Sequence, residues 1–146
     1  MNAEILSEDN ILLNVKPESK TEAIERAGRL LVQNGYVEVG YIEGMHKREA
    51  QITTYGGNGV AIPHGMNEYI KYIRQSGIVV IQYPEGVDFG SGNTAYIVIG
   101  IAGKGEEHMD ILSKIAVTCL EEENVQKLVK AASKREIIEM LMGNEG

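Results

Sequence analysis

Hydrophobic positions at helical spacing dominate the first and last thirds of the chain. Ser19 and Glu22 form a capping-box pair, in which each side chain satisfies a backbone N–H of the other residue. Apolar residues follow at helical spacing up to Asn34-Gly35, so the pattern predicts a first helix between these two signals. Further helices are predicted over residues 39–49, 106–120 and 125–132, and after a second capping box, Ser133 with Glu136.

Short runs of apolar or β-branched residues predict the strands. These runs lie at residues 11–15, 51–55, 60–62, 78–81 and 96–101, and Pro84-Glu85-Gly86 is a turn signal after the fourth. Because the last two runs are continuously apolar, helices should cover both faces of the sheet. The order of elements predicts an α/β fold of α+β type connectivity: a three-layer α/β/α sandwich around a mixed, roughly four- to five-stranded sheet.

Composition and charge narrow the classes of protein that fit this pattern. The 146 residues include no repeat or linker-like stretch, which predicts one domain over residues 1–146. The net charge of −7 argues against a nucleic-acid partner, because binding the phosphate backbone requires clustered Lys and Arg. No apolar run is long enough for membrane insertion, and the one cysteine makes no internal disulfide. These features predict a cytoplasmic protein.

His64 is the first candidate for chemistry. It follows the apolar run 60–62 and stands between Pro63, which fixes the backbone, and Gly65, which adds no bulk beside the imidazole. A histidine held in this way at a strand end is well placed to meet another macromolecule. The local sequence is equally compatible with a turn histidine whose ring completes a local hydrogen bond.

His108 and Arg48 are the other candidates. His108 lies in the first turn of the predicted helix 106–120, in line with its apolar face. That face is predicted to comprise Leu112, Ile115, Ala116 and Cys119. The free N–H groups of a helix start favour anions and a neutral imidazole, and the guanidinium of Arg48 suits phosphate oxygens. Structural roles remain open for both, as a satisfied core histidine and as a solvated or paired arginine.

Other kinds of active site find less support in the sequence. The acidic residues around His108 lack metal-ligand spacing, and the serine-hydrolase motif Gly-x-Ser-x-Gly is absent. The glycines at 56, 57 and 59 precede a strand rather than a helix, so they form no nucleotide-binding loop. Cys119 is interpreted as core filler and His46, in a polar stretch, as a bystander.

Several segments together resemble the enzyme IIA domain of the mannitol/fructose class of the bacterial phosphoenolpyruvate-dependent sugar phosphotransferase system. The segments are His46-Lys47-Arg48-Glu49, Thr54-Tyr55-Gly56, Val60-Ala61-Ile62-Pro63-His64-Gly65, Gln82-Tyr83-Pro84-Glu85-Gly86-Val87, and Ile99-Gly100-Ile101-Ala102 leading to Glu107-His108. The resemblance extends over about residues 11–141. Its most specific marker is the Pro-His-Gly segment combined with the downstream Glu-His helix start.

The resemblance implies a phosphotransferase component that requires no cofactor and no metal. In this family the histidine of the Pro-His-Gly segment, here His64, receives a phosphoryl group from the phosphocarrier protein HPr. The group then passes to a cysteine of the cognate enzyme IIB, or of a membrane IICB component. By similarity, Arg48 neutralises phosphate oxygens and His108 stabilises the phosphoryl group.

The resemblance also implies a substrate class and a shape for the site. A sugar alcohol, mannitol first, is expected from the Tyr-Pro-Glu-Gly-Val and Glu-His stretches, with fructose-type and nitrogen-related regulatory enzyme IIA proteins as alternatives. Two successive partners require a shallow, exposed and partly apolar depression around His64. The glycines at 56, 57, 59 and 65 are expected to keep its rim low, so that Gly65→Val blocks transfer and leaves the fold intact.

Overall fold

The computed structural model of the protein describes residues 5–142, so the first four and the last four residues of the predicted domain lie outside it. The strands are β1 Ile11–Leu12, β2 Tyr55–Gly57, β3 Val60–Ala61, β4 Gly77–Asp88 and β5 Thr94–Ala102. The helices are α1 Lys20–Gln33, α2 Gly40–Gln51, α3 Glu106–Cys119, α4 Glu122–Lys130 and α5 Lys134–Met142, and 3-10 turns span Glu8–Asn10 and Asn67–Tyr72. The strands form one sheet in the order β1-β4-β5-β3-β2.

The sheet is mixed, and its pairing decides where the site forms. β4 and β5 pair antiparallel at the centre, while β1 pairs parallel with β4 and β3 pairs parallel with β5. β2 completes the sheet as the antiparallel partner of β3. Because parallel strands end at the same edge of a sheet, the chain segments that follow β3 and β5 leave it side by side.

Helices cover both faces of the sheet, so the predicted three-layer α/β/α sandwich is confirmed. α1 and α2 bury Ile24, Leu31 and Met45 on one face. α3, α4 and α5 bury Ile115, Leu128 and other apolar side chains on the opposite face. Alternate residues of β4 and β5 point into these two clusters, which is why both strands read as continuously apolar.

The predicted buried face of α3 is partly wrong. Ile111 and Ile115 are the residues of α3 that are buried, whereas Ala116 is exposed. The buried face is therefore rotated from the predicted one toward Ile111, although His108 remains partly buried, as expected of an inward-facing residue. Leu112 and Cys119 lie at the edge of this face and are half-buried.

The predicted strand over 51–55 is also wrong. α2 continues to Gln51, and an irregular segment of three residues, with a bend at Ile52, separates it from β2. The buried carboxylate of Glu49 holds this segment: it accepts hydrogen bonds from the hydroxyls of Thr53 and Thr54 and from the Thr54 N–H. Local β-propensity is overridden because the carboxylate is buried and requires these donors.

Pro84-Glu85-Gly86 does not end its strand, contrary to the turn prediction. The pairing of β4 with β5 shifts register between Gln82 and Val87 and then resumes, so β4 reaches Asp88. A bulge tolerates proline because one residue there makes no ladder hydrogen bond. Gly86 adopts a φ of +87°, which suits a glycine at this irregularity.

Both predicted capping boxes are present. Ser19 Oγ accepts from the Glu22 N–H at 3.0 Å, and the Glu22 carboxylate accepts from the Ser19 N–H at 3.0 Å. Ser133 and Glu136 make the corresponding pair at the start of α5, at 3.2 and 3.1 Å. None of the helices between residues 5 and 142 has the length and apolar character needed to cross a membrane.

Candidate functional site

The parallel pairing of β3 with β5 brings His64 and His108 to one edge of the sheet. His64 comes just after β3, where the Ile101 N–H of β5 donates to the Pro63 carbonyl at 2.9 Å. Beyond β5 the chain enters α3, and His108 is the third residue of that helix. The ring centroids of His64 and His108 are 5.5 Å apart. The two histidines therefore form one site.

The hydrogen bond of the His64 ring selects its tautomer. Nδ1 lies 2.8 Å from the Ile62 carbonyl oxygen. A carbonyl oxygen only accepts, so Nδ1 carries the proton of the neutral ring and Nε2 holds the lone pair. The local hydrogen bond expected of a turn histidine is thus present, yet it leaves Nε2 available as a nucleophile.

A depression of about 410 Å³ opens beside the two rings. His64, His108 and Arg48 all line it, so the structure brings together the three residues singled out in the sequence. Its apolar lining comes from Tyr41, Met66, Ile70 and Ile73, and its polar lining includes Gln51, Asn67 and Glu68. The lining is thus partly apolar, as expected of a surface that meets another protein.

Arg48 reaches the depression from the last turn of α2. Its Nη1 donates to the Ile52 carbonyl at 2.7 Å, which caps the helix and fixes the guanidinium. Within residues 5–142 the guanidinium has no carboxylate partner. Its positive charge and its remaining N–H groups are therefore available to an anion in the depression.

Both histidines of the site are held neutral. Burial lowers the pKa of His64 below its ordinary value. The positive charges of Arg48 and of a protonated His108 also lower it, whereas the Ile62 carbonyl and the Glu49 carboxylate raise it. Burial also lowers the pKa of His108. At neutral pH the depression thus presents a neutral nucleophile, a second neutral imidazole and one fixed cation, with the Glu68 carboxylate also in its lining.

A family model described as "Phosphoenolpyruvate-dependent sugar phosphotransferase system, EIIA 2" matches residues 4–143 of the chain. The chain belongs to this family. It is thus a phosphotransferase enzyme IIA component, as the resemblance in the sequence implied.

Individual relatives agree with this enzyme IIA assignment. The chain is 52% identical over 141 residues to a mannitol-specific phosphotransferase enzyme IIA component of Geobacillus stearothermophilus, covering 97% of each chain. Among solved structures, it is similar to a chain of the complex of enzyme IIAMTL and phosphorylated enzyme IIBMTL from Escherichia coli. The TM-score is 0.89 and the sequence identity 38%, and the match covers 95% of this chain and 98% of that chain. The chain is also similar to the nitrogen regulatory protein IIA-Ntr of Neisseria meningitidis, with a TM-score of 0.81 at 27% identity, covering 94% and 96%.

The third histidine of this enzyme IIA chain, His46, lies outside the depression. Its Nε2 is 2.9 Å from Glu25 Oε1, so the ring joins α2 to α1. Burial and the hydrogen bond give His46 a structural role, consistent with its prediction as a bystander.

The predicted glycine rim of the enzyme IIA site is largely wrong. Gly65 lines the depression, but Gly56 and Gly57 belong to β2, and Gly59 belongs to the turn that joins β2 to β3. That turn lies at the start of β3, whereas His64 follows its end, so these three glycines are remote from the ring. They serve the turn instead: Gly57 and Gly59 adopt φ of +97° and +83°.

Sequence reasoning missed two residues of the enzyme IIA site. A Cβ on Gly103 would lie 2.4 Å from the Cα of His108, so the first turn of α3 packs closely against a position that only glycine fits. The hydroxyl of Tyr41 is hydrogen-bonded beside His64. The two glycines of Gly103-Lys104-Gly105, between a predicted strand and a predicted helix, could have indicated that the backbone packs closely there. No local sequence pattern indicates the role of Tyr41, because its hydrogen-bond partners are distant in sequence.

Gly65→Val is expected to unfold more easily, which corrects the expectation that the fold stays intact. A Cβ on Gly65 would lie 2.6 Å from Cε1 of Tyr41, a side chain with 1% exposure that has little room to move. Overpacking of this kind costs about 1–3 kcal/mol, which urea denaturation measures. Gly56→Val is the matched control, because its Cβ would make one ordinary contact at 3.7 Å. Equal stability of the two variants would contradict the packing argument.

Proposed function

We propose that His64 is the phosphorylated residue of this enzyme IIA, with Nε2 accepting the phosphoryl group from phosphorylated HPr and passing it to a cysteine of enzyme IIB. The observation that carries the proposal is the hydrogen bond from Nδ1 to the Ile62 carbonyl, which leaves the lone pair on Nε2 in a ring that lines an open depression. We further propose that the chain acts in the cytoplasm.

The transfer requires little beyond this geometry. The Nε2 lone pair forms the N–P bond while the bond between phosphorus and its carrier atom in HPr breaks, and that electron pair returns to HPr. Nδ1 keeps its proton, so the phosphorylated ring of His64 carries a positive charge that the Ile62 carbonyl stabilises. In the second step the enzyme IIB thiolate attacks phosphorus, and the N–P pair returns to Nε2.

Arg48 and His108 would stabilise the phosphoryl group, which carries nearly two negative charges. The guanidinium of Arg48 supplies fixed positive charge and is in no ion pair within the described chain, although the Glu68 carboxylate lines the same depression. The neutral ring of His108 supplies one N–H donor, 5.5 Å from His64 between ring centroids. Together they offset the negative charge that an acidic protein of net charge −7 would otherwise repel.

The relatives support mannitol as the substrate of the system that this chain serves. The 52% identity to a mannitol-specific component exceeds the 27% identity to the nitrogen regulatory protein. This chain itself would bind no sugar, because its role is to carry the phosphoryl group between proteins. Its specificity therefore lies in which enzyme IIB it phosphorylates.

A reconstituted relay tests the proposed function. The chain is incubated with labelled phosphoenolpyruvate, enzyme I and HPr, and is then mixed with enzyme IIB of the mannitol type or of the fructose type. We expect label on His64 Nε2, visible by NMR, and its onward transfer to the mannitol-type cysteine. Labelling without transfer to either enzyme IIB would indicate a regulatory enzyme IIA instead, and transfer to the fructose type alone would overturn the substrate assignment.

The pH profile of the first step is a further prediction. Burial lowers the pKa of His64, so the ring stays neutral, and Nε2 stays unprotonated, at a pH where an ordinary histidine would be half charged. The single-turnover rate from preformed phospho-HPr should therefore remain constant from about pH 8 to about pH 6.5 and fall only below that. Loss of label from phospho-HPr alone is the control. A fall centred above about pH 6.5 would contradict the lowered pKa.

A further inference from the structure

Tyr41 joins the two chain segments that carry the histidines. It is the second residue of α2, and its side chain is 1% exposed. Its hydroxyl accepts a hydrogen bond from the Gly65 N–H at 2.8 Å and donates one to the Ile101 carbonyl at 2.8 Å. Burial raises the pKa of Tyr41 to about 12, so the hydroxyl keeps the proton that it donates.

The two partners of this hydroxyl flank the site. Gly65 directly follows His64, and Ile101 lies in β5 just before the turn that leads to His108. The hydrogen bond from the Ile101 N–H to the Pro63 carbonyl joins β5 to the residue before His64. Tyr41 joins β5 to the residue after His64. His64 is thus anchored at both of its neighbours.

The packing around Gly65 reinforces this anchor. The aromatic ring of Tyr41 lies where a side chain on Gly65 would be, with Cε1 at 2.6 Å from the position of a Cβ. Glycine at 65 therefore allows the Tyr41 hydroxyl to reach the backbone beside His64. The glycine of the Pro-His-Gly sequence is therefore explained by this contact with α2, and not by a need to leave room for a partner protein.

We propose that Tyr41 is a positioning residue that sets the geometry of His64 relative to His108 through its two hydrogen bonds. Only the expected effect on the transfer rate rests on the proposed phosphorylation of His64. Without the hydroxyl, the Gly65 N–H loses its partner. The chain after His64 is then held to α2 only by the longer bond from the Met66 N–H to the Gly44 carbonyl at 3.3 Å, so the ring departs from the arrangement that meets the phosphoryl group. A displacement of about 1 Å at a reacting group costs about a hundredfold in rate.

The test compares Tyr41→Phe with Tyr83→Phe. Each change removes one hydroxyl from a buried tyrosine, and the Tyr83 hydroxyl donates to Glu18, which does not line the depression. Both melting temperatures should fall, so stability alone does not separate the variants. We expect Tyr41→Phe to lower the single-turnover rate from phospho-HPr at least tenfold at saturation, with an unchanged half-saturating concentration, while Tyr83→Phe keeps the wild-type rate. Equal rates in the two variants would overturn the proposal.

NMR of the histidine rings tests the same geometry without phosphorylation. In Tyr41→Phe the pKa of His64 should rise toward the ordinary histidine value, because water reaches a loosened ring; in Tyr83→Phe it should not change. An unchanged His64 pKa in Tyr41→Phe would overturn the positioning role even if transfer failed. In the wild type, the Gly65 amide should exchange slowly, and fast exchange would overturn the proposal without any variant. Absence of label on the wild type would instead refute the proposed function, and the NMR results would still decide the role of Tyr41.

Discussion

His64→Gln is expected to accept no phosphoryl group from phosphorylated HPr, with a loss of at least about 10³-fold in rate. Glutamine is similar in size and polarity to histidine, so the depression keeps its shape. Its amide nitrogen is a donor with no nucleophilic lone pair, whereas Nε2 of the neutral imidazole has one. The readout is acid-labile label on the chain after incubation with labelled phosphoenolpyruvate, enzyme I and HPr.

His46→Gln is the matched control for this experiment. It makes the same chemical change at a histidine that bonds Glu25 and lies outside the depression. We expect this variant to be labelled at the wild-type rate, with a stability loss of about 1 kcal/mol from the altered contact with Glu25. Equal labelling of His64→Gln and wild type would refute His64 as the acceptor. Loss of label in His46→Gln would show that the test reports stability rather than chemistry.

The layers of the fold followed from the sequence because the decisive signals were local. The continuous apolar runs of β4 and β5 mark strands that are buried on both faces, and the capping box of Ser19 with Glu22 starts α1 where expected. The failures involve a polar side chain whose burial the sequence pattern does not show, or a change of strand register. Thr53 and Thr54 donate to the buried carboxylate of Glu49, and β4 passes through Pro84 by means of a bulge.

The site was only partly predictable for a related reason. The neighbours of His64 made it a candidate, but its meeting with His108 depends on β3 lying parallel beside β5, and the sequence does not state the strand order. The contribution of Tyr41 depends on hydrogen bonds to Gly65 and Ile101, which lie 24 and 60 positions away in the sequence, so no local pattern predicts it. The resemblance to a family supplied this missing tertiary information for the histidines and Arg48, but not for Tyr41.

Arg48→Gln is expected to slow phosphoryl transfer about 10²-fold and leave the protein folded. The guanidinium supplies the fixed positive charge that lines the depression, and glutamine replaces it with a neutral amide. The variant also loses the hydrogen bond to the Ile52 carbonyl at the end of α2, which costs about 0.5–1.5 kcal/mol of stability. Single-turnover rates from phospho-HPr and urea denaturation measure the two effects separately.

Two further variants show whether charge or geometry matters at this position. Arg48→Lys keeps the charge but lacks the planar fork, so its rate should lie between those of wild type and Arg48→Gln. Arg29→Gln removes an exposed arginine of α1 that pairs with Glu25 away from the depression, and it should transfer at the wild-type rate. If Arg48→Gln and Arg29→Gln slow the reaction equally, the effect comes from the net charge of the protein and Arg48 has no specific role. The charge acts within the depression if two results are obtained together: only Arg48→Gln is slow, and raising the salt concentration does not slow the wild type to the same extent. Salt screens a charge weakly inside such a depression.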